Sequence, residues 1–358
     1  MVGTGAAPAS RRGARGGSLL GGAALLAAAL VSCGAAYQAI AAARDRRRYP
    51  PPGRLVDVGG HRLHVYATGP VGDGGVRGPA VVLEAGVGAT SAGWAWVQQK
   101  VERFAGVVSY DRAGIGWSEE GASSSDARGA AEQLRAALSG AGVAGPYVLV
   151  GHSLGGEYAR VFAALYPSEV AGMVLVDAGA PDRDGVMRVG AAAPSLPGVP
   201  LPEGTMGQVE RAFRLFRYAP LAARLGVVRI ALALGGATNP LPADARAAAR
   251  ASMSSPRHWR AVRAEVAGSW EAAAQARASG GLGEKPLVVL NRAVPEGGVT
   301  RAIREFGAEL AASLSSDGEH RVVEGADHFS LVANREHARF VAEAIRGVVE
   351  AAGEGSRP

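Results

Sequence analysis

The sequence predicts an α/β protein: a mostly parallel, eight-stranded sheet flanked by helices, with a helical lid inserted after the sixth strand. Three observations carry this expectation. Short apolar runs rich in β-branched residues recur along the chain with helical periodicity between them, the pattern of a parallel sheet covered on both faces. Between residues 177 and 286 helical patterns continue without a clear strand. One run, "YVLV" at 147–150, leads directly into Gly-His-Ser-Leu-Gly at 151–155.

The chain has 358 residues, 48% hydrophobic and 20% charged, which suits a globular protein with a sizeable core. Residues 1–17 read as a basic tail carrying Arg11, Arg12 and Arg15. Residues 18–43 are 26 positions without a charge, enough for a helix to cross a hydrocarbon layer of about 30 Å. The expectation for this segment is a single-pass N-terminal membrane anchor. A lipoprotein signal ending at Cys33 of "LVSC" and a cleaved secretory signal are the alternatives. Arginines flank both ends, so the side of the membrane stays open. Residues 44–53 form a basic, Pro-rich linker that ends in the stiff spacer Tyr49-Pro50-Pro51-Pro52-Gly53.

The strands then follow. "RLVDV" (54–58) and "HRLHVYA" (61–67) are joined at Gly59-Gly60, a hairpin signal. "AVVLE" (80–84), "GVVSY" (106–110), "YVLV" (147–150), "MVLVD" (173–177), "PLVVL" (286–290) and "HRVVE" (320–324) complete the sheet. A helical pattern over 130–138 lies between two of them. Residues 54–180 and 284–350 are thus expected as the core and 181–283 as the lid, with helices around 210–225, 243–253 and 257–277. In the lid, Trp259, Trp270, Phe213 and Phe216 line a pocket or pack the lid's own interior. Residues 351–358 read as a flexible tail.

Composition narrows the function. The net charge is +6, but much of the excess lies near the N-terminus, and no Lys/Arg run is interleaved with aromatics. A nucleic-acid partner is therefore not expected. A single cysteine, Cys33, excludes an internal disulfide and a CxxC metal site, and no histidines pair at metal-ligand spacing on one helix. Neither a metal nor a cofactor is expected.

The chemistry concentrates at 151–155. Gly151 and Gly155 stand two residues either side of Ser153. Between a strand and a helix, that spacing describes a turn so tight that a Cβ at either glycine would clash, with the serine strained and its oxygen thrust outward. This is the nucleophile elbow.

With "EAGVG", "YDRAGIGWS", "GHSLGG", "AGMVLVDAGAPD" and "GADHF" in this order, residues 54–349 resemble the α/β-hydrolase superfamily. The branch most resembled is that of lid-bearing, esterase-like serine hydrolases with an N-terminal membrane segment. The resemblance implies a base at His328, in the loop of "GADHF" just past the last strand. His152 is a poor base candidate, because its side chain should diverge from the serine at the elbow. Chain order places the acid between Ser153 and His328. The usual loop, after "PLVVL", reads "NRAVPEGG" and holds no aspartate, so the end of the preceding strand, Asp177, is the expected acid. Glu296 and Asp182 are the alternatives, and Asp327 would point away from the base.

An oxyanion formed on attack needs backbone N–H groups already aimed at it. The resemblance implies Leu154, directly after the nucleophile, and Val87 in the loop after "AVVLE", with Gly88 next in order. The superfamily usually has His-Gly in that loop; this chain has Ala85-Gly86. Asp111 and Arg112 read as structural residues of the site's floor.

The function expected is a serine hydrolase that cleaves carboxylic esters, lipophilic ones in one version, through an acyl-enzyme and without cofactor. Its partners are a small-molecule ester and the membrane. Acyl transfer, amide hydrolysis and cofactor-free perhydrolysis share the same triad. Epoxide hydrolases and haloalkane dehalogenases of this superfamily carry an aspartate at the elbow, where this chain has Ser153. A non-catalytic binding protein on the same scaffold would be marked by loss of Ser153 or His328, and both are present.

Overall fold

The computed structural model describes residues 14–70, 78–121, 126–179, 184–189, 198–236, 238, 240–293 and 298–354. It opens with one helix, α1 (Ala14–Arg48). The helix continues through Arg48, into the stretch read as linker, because alanine and arginine are good helix formers and the first breaker is Pro50. Within Gly22–Arg48 an 18-residue window has a mean hydropathy of 1.7, and this is the single helix among the described residues long and apolar enough on its own to cross a membrane.

The sheet strands are β1 (Arg54–Asp57), β2 (Arg62–Thr68), β3 (Ala80–Glu84), β4 (Val107–Tyr110), β5 (Tyr147–His152) and β6 (Val170–Val176). A two-residue pair, β7 (Val186–Met187) and β8 (Val199–Pro200), forms its own small ladder. Strands β9 (Leu287–Ala293) and β10 (Gly318–Glu324) complete the main sheet. Its order is β1-β2-β4-β3-β5-β6-β9-β10. The two pairings made by β2 are antiparallel, and all others are parallel. The expected eight-stranded, mostly parallel sheet is what the chain forms.

Helices α2 (Ala95–Val101), α3 (Ala127–Gly140) and α4 (Leu154–Leu165) alternate with the strands. The insertion after β6 holds α5 (Thr205–Phe216), α6 (Ala219–Arg224), α7 (Val227–Gly235), α8 (Ala243–Met253) and α9 (Pro256–Ala278). Helices α10 (Gly298–Leu314), α11 (Ser330–Ala333) and α12 (Ala338–Glu354) close the chain. The last helix thus extends four residues into the stretch read as tail.

Side-chain alternation explains the layering. Tyr147 and Leu149 of β5 belong to a core shared with Leu134 of α3, Phe162 of α4 and Phe306 of α10. Val148 and Val150 face the opposite core, with Val97 and Val101 of α2 and Val341 and Ile345 of α12. Both faces are therefore dry, and each fully buried Val or Leu contributes about 1.5–3 kcal/mol.

The insertion departs from expectation in detail. The helix anticipated over 210–225 breaks at Arg217–Tyr218, where Pro220 takes a first-turn position of α6. The helix α7 has one charged residue, Arg229, in nine positions, which left little pattern to mark it. Phe213, Phe216 and Trp259 form a ring stack. It packs on Ile115, Val262 and Val266, and Val87 joins the same cluster, so these aromatics fill the seam between insertion and core.

Candidate active site

Ser153 occupies the turn between β5 and α4 with φ 54° and ψ −127°, a strained conformation for a residue with a Cβ. The flanking glycines show why the turn closes. A Cβ on Gly151 would lie 2.5 Å from the Gly156 Cα, and one on Gly155 would lie 2.4 Å from the Glu84 carbonyl oxygen. Both neighbours are backbone, which cannot step aside.

Asp177 follows β6 directly and also has a positive φ, 45°. Its backbone N–H donates to Leu290 O across the sheet at 2.6 Å. His328 sits in the loop after β10, beyond Gly325 at φ 72°. Three distant stretches thus converge. His328 Nε2 is 3.0 Å from Ser153 Oγ, and His328 Nδ1 is 2.6 Å from Asp177 Oδ2. The Asp177 side chain is 1% exposed and the His328 ring 28%. The carboxylate end of this chain of contacts is dry, and the imidazole is partly open on the side of Ser153 Oγ.

The carboxylate has a second partner that the sequence reading did not foresee. Arg292 Nη1 donates to Asp177 Oδ2 at 2.6 Å, the same oxygen that meets His328. Burial pushes the Asp177 carboxyl up, but the bond from His328 and the charges of His328 and Arg292 outweigh it and hold the group below its ordinary value. Arg292 is the penultimate residue of β9, the strand after which an acid is usual. The counter-charge of the acid stands there instead. Glu296 and Asp182, the alternative acids, lie outside the described residues.

His152 is brought close in an unexpected role. Its Nε2 donates to the His328 carbonyl at 2.8 Å, and the two rings lie 4.7 Å apart. A carbonyl only accepts, so Nε2 carries the proton. Burial, with the adjacent His328, lowers the His152 pKa to about 3. It is a neutral donor that braces the His328 backbone. Asp327 points elsewhere, its Oδ1 accepting from the N–H groups of Phe329 and Ser330.

The loop after β3 presses on Ser153. A Cβ at Gly86 would meet Ser153 Cβ at 3.1 Å. The turn closes with Ala89 N–H donating to Gly86 O, and Gly88 N–H donates to Glu265 Oε2 at 2.8 Å. Gly88 is thereby committed, and among the described bonds none engages the N–H of Val87. Leu154 opens α4, so its N–H belongs to the first turn, which has no intrahelical acceptor.

This loop is held by a buried ionic clamp. Arg112, after β4, donates through Nη1 to Ala85 O and Glu84 Oε1, each at 2.6 Å, and through Nη2 to Gly86 O at 2.8 Å. Its Nε donates to Glu265 Oε1 of α9 at 2.7 Å. Burial alone would lower the Arg112 pKa, but Glu265 and Glu84 more than reverse that, and it stays charged. No sequence signal pointed to Glu265. Asp111 is structural as expected: it accepts from Ser91 N–H and from the buried His64 ring.

Among the described residues no group of three His, Cys, Asp or Glu side chains is placed to hold a metal.

A family model for the alpha/beta hydrolase fold matches residues 79–212. The chain is an α/β-hydrolase-fold protein. Its relatives of known sequence include uncharacterised proteins. YqjL of Bacillus subtilis is 34% identical over 103 residues, 29% of this chain and 41% of that protein. YbdG of the same organism is 31% identical over 131 residues, 37% of this chain and 39% of that protein. A protein of Schizosaccharomyces pombe is 51% identical over 73 residues, 20% of this chain and 14% of the other. The match therefore spans less than half of each relative.

Solved structures match nearly whole. A haloalkane dehalogenase DbeA-M1 loop variant from Bradyrhizobium elkanii has a TM-score of 0.60 at 19% identity, covering 85% of this chain and 98% of that one. The Cif epoxide hydrolase from Acinetobacter nosocomialis gives 0.60 at 16%, covering 88% and 96%. A provisionally named lipase, lip1, from Acinetobacter baumannii AYE gives 0.59 at 17%, covering 89% and 97%. Likeness at this identity speaks for the fold alone. In this α/β-hydrolase fold Ser153 lies at the carboxyl end of β5, where open α/β sheets place their working sites.

Proposed function

We propose that this α/β-hydrolase is a serine hydrolase of carboxylic esters. Ser153 Oγ attacks the acyl carbonyl while His328 Nε2 takes its proton. Asp177 steadies the imidazolium through Nδ1–H, and the oxyanion rests on the N–H groups of Val87 and Leu154. As the tetrahedral adduct collapses, the C–O bond to the alcohol breaks and His328 returns the proton to the leaving alkoxide. Water, deprotonated by the same imidazole, then releases the acid and restores Ser153.

The observation that carries this reading is the unbroken relay through His328, 3.0 Å to Ser153 Oγ and 2.6 Å to Asp177 Oδ2. The hydroxyl at the elbow favours acyl chemistry over the alkyl-enzyme chemistry of a carboxylate nucleophile. Residues 54–180 and 284–350 serve in this reading as the catalytic core, and 181–283 as its lid. The apolar α1 tethers the enzyme to a membrane.

A fluorophosphonate probe tests the nucleophile. Wild type should label covalently and Ser153→Ala should not; equal labelling of both would remove Ser153 from the mechanism.

A further inference from the structure

Thirteen large apolar side chains stand exposed among the described residues, and they are not scattered. Six lie on α1, and one is Phe329. The other six are Leu215, Tyr218, Leu221, Val227, Ile230 and Leu234, all within α5–α7 and the turns joining them. Leu234 is 83% exposed. Val227, Ile230 and Leu234 recur at helical spacing and share one face of α7. Soluble surfaces rarely gather this much apolar area without a partner.

Two observations say what the partner is. The first is position. The turn between α6 and α7 sits on α1: a Cβ on Gly34 would lie 2.7 Å from Leu225 O, and one on Gly226 would lie 2.8 Å from the Tyr37 ring. Arg229 donates to Gln38 Oε1 at 3.0 Å and pairs with Asp45 at 2.7 Å. Gln38 in turn donates to Ser254 O. The apolar stretch is thus bolted to the helix able to span a bilayer. The second is charge. Over α5–α7, with Arg229 already paired to Asp45, the chain carries Arg211, Arg214, Arg217 and Arg224 against one acid, Glu210. An apolar ridge bordered by arginines is the composition of a helix lying in the interface of an anionic membrane. The arginines also argue against these helices as a second span, as does the 105° bend between α5–α6 and α7.

We infer that α5–α7 form a membrane-surface ridge, seated in the headgroup layer of a bilayer containing anionic lipid, beside the span of α1. The inference rests on α1 being retained as an anchor. It is independent of the chemistry at Ser153.

Site-directed fluorescence tests it on the full chain. In a Cys33→Ser background, single cysteines at Ile230→Cys, Leu234→Cys and, as control on α12, Glu350→Cys carry a polarity-sensitive dye; wild-type Cys33 reports on α1. The proteins are reconstituted in vesicles of phosphatidylcholine and phosphatidylglycerol doped with nitroxide-labelled lipid. The dyes at 230 and 234 should shift to the blue and lose emission to the lipid quencher, and the dye at 350 should do neither. In phosphatidylcholine alone the quenching at 230 and 234 should weaken. Quenching at Cys33 with none at 230 or 234 would overturn the ridge while leaving the anchor. No quenching at any position would overturn both. Blue-shifted dyes untouched by the lipid quencher, with the shift growing with protein concentration, would assign the surface to a second copy of the chain.

Discussion

In the proposed reaction Asp177 has to do two things at once, remain ionised while buried and hold one tautomer of His328. Arg292 supports the first and the 2.6 Å contact with Nδ1 the second. Replacing the carboxylate by an amide keeps the shape but removes the charge that favours the imidazolium. Asp177→Asn should therefore lower kcat on a p-nitrophenyl ester by roughly 10⁴-fold, and Glu296→Gln should leave it unchanged. A loss with Glu296→Gln alone would move the acid out of Asp177. The glycines of the elbow make a separate prediction about stability. A Cβ at residue 155 meets the carbonyl oxygens of Glu84 and Ala85 within 2.7 Å, and neither can yield without moving β3. Gly155→Ala should cost about 1–3 kcal/mol in urea denaturation; a neutral result would mean that the turn is looser than its contacts imply. Ser153 and His328 were legible in the sequence because each stands beside a strand end in a local pattern. Arg292 and His152 were visible as letters, but their partners lie more than a hundred residues away along the chain, and no local pattern records that pairing.

The strands were legible because burial on both faces demands continuous apolar runs. The insertion was less so: α7 has a single charged residue, Arg229, in nine positions, too few polar positions to mark its faces, and the break at Arg217–Tyr218 turns on Pro220, which helical spacing on either side masked. The contact that matters most between elements, Glu265 on α9 with Arg112 and Gly88, left no trace in the sequence. It ties the insertion to the loop that presents Val87. Glu265→Ala would strip one carboxylate from a buried guanidinium and the acceptor from Gly88 N–H. The loss in stability should be about 3–5 kcal/mol. At temperatures where the variant is folded, kcat should fall by about 10-fold or more with KM little changed, because a displaced oxyanion donor is felt in the transition state. A rise in KM at constant kcat would instead make Glu265 part of substrate binding, and the clamp would lose its role in catalysis.

At the scale of the whole molecule, two buried histidines couple the fold to pH. Burial lowers His152 to about 3 and His258, beneath α8 at the start of α9, to about 4. In the unfolded chain both titrate near the ordinary value of about 6.5. The sign follows directly. Above pH 6.5 folded and unfolded chains bind the same protons at these sites, and the stability is fully present. As pH falls from 6.5 toward 4, the unfolded chain takes up protons that the folded one refuses. Stability should then drop by about 1.4 kcal/mol per pH unit for each histidine. Carboxylates such as Asp177, held below the ordinary value by His328 and Arg292 in spite of burial, add their own loss only at lower pH. His258 is the better probe of the two, being remote from Ser153 in the chain and bonded only weakly, 3.3 Å from Ser252 Oγ. Urea midpoints at pH 7, 6 and 5 should decline for the wild type. They should decline less steeply for His258→Asn, by the equivalent of about one proton. Parallel slopes for the two proteins would mean that the buried ring accepts a proton in the folded state, and that the seam between insertion and core admits water there.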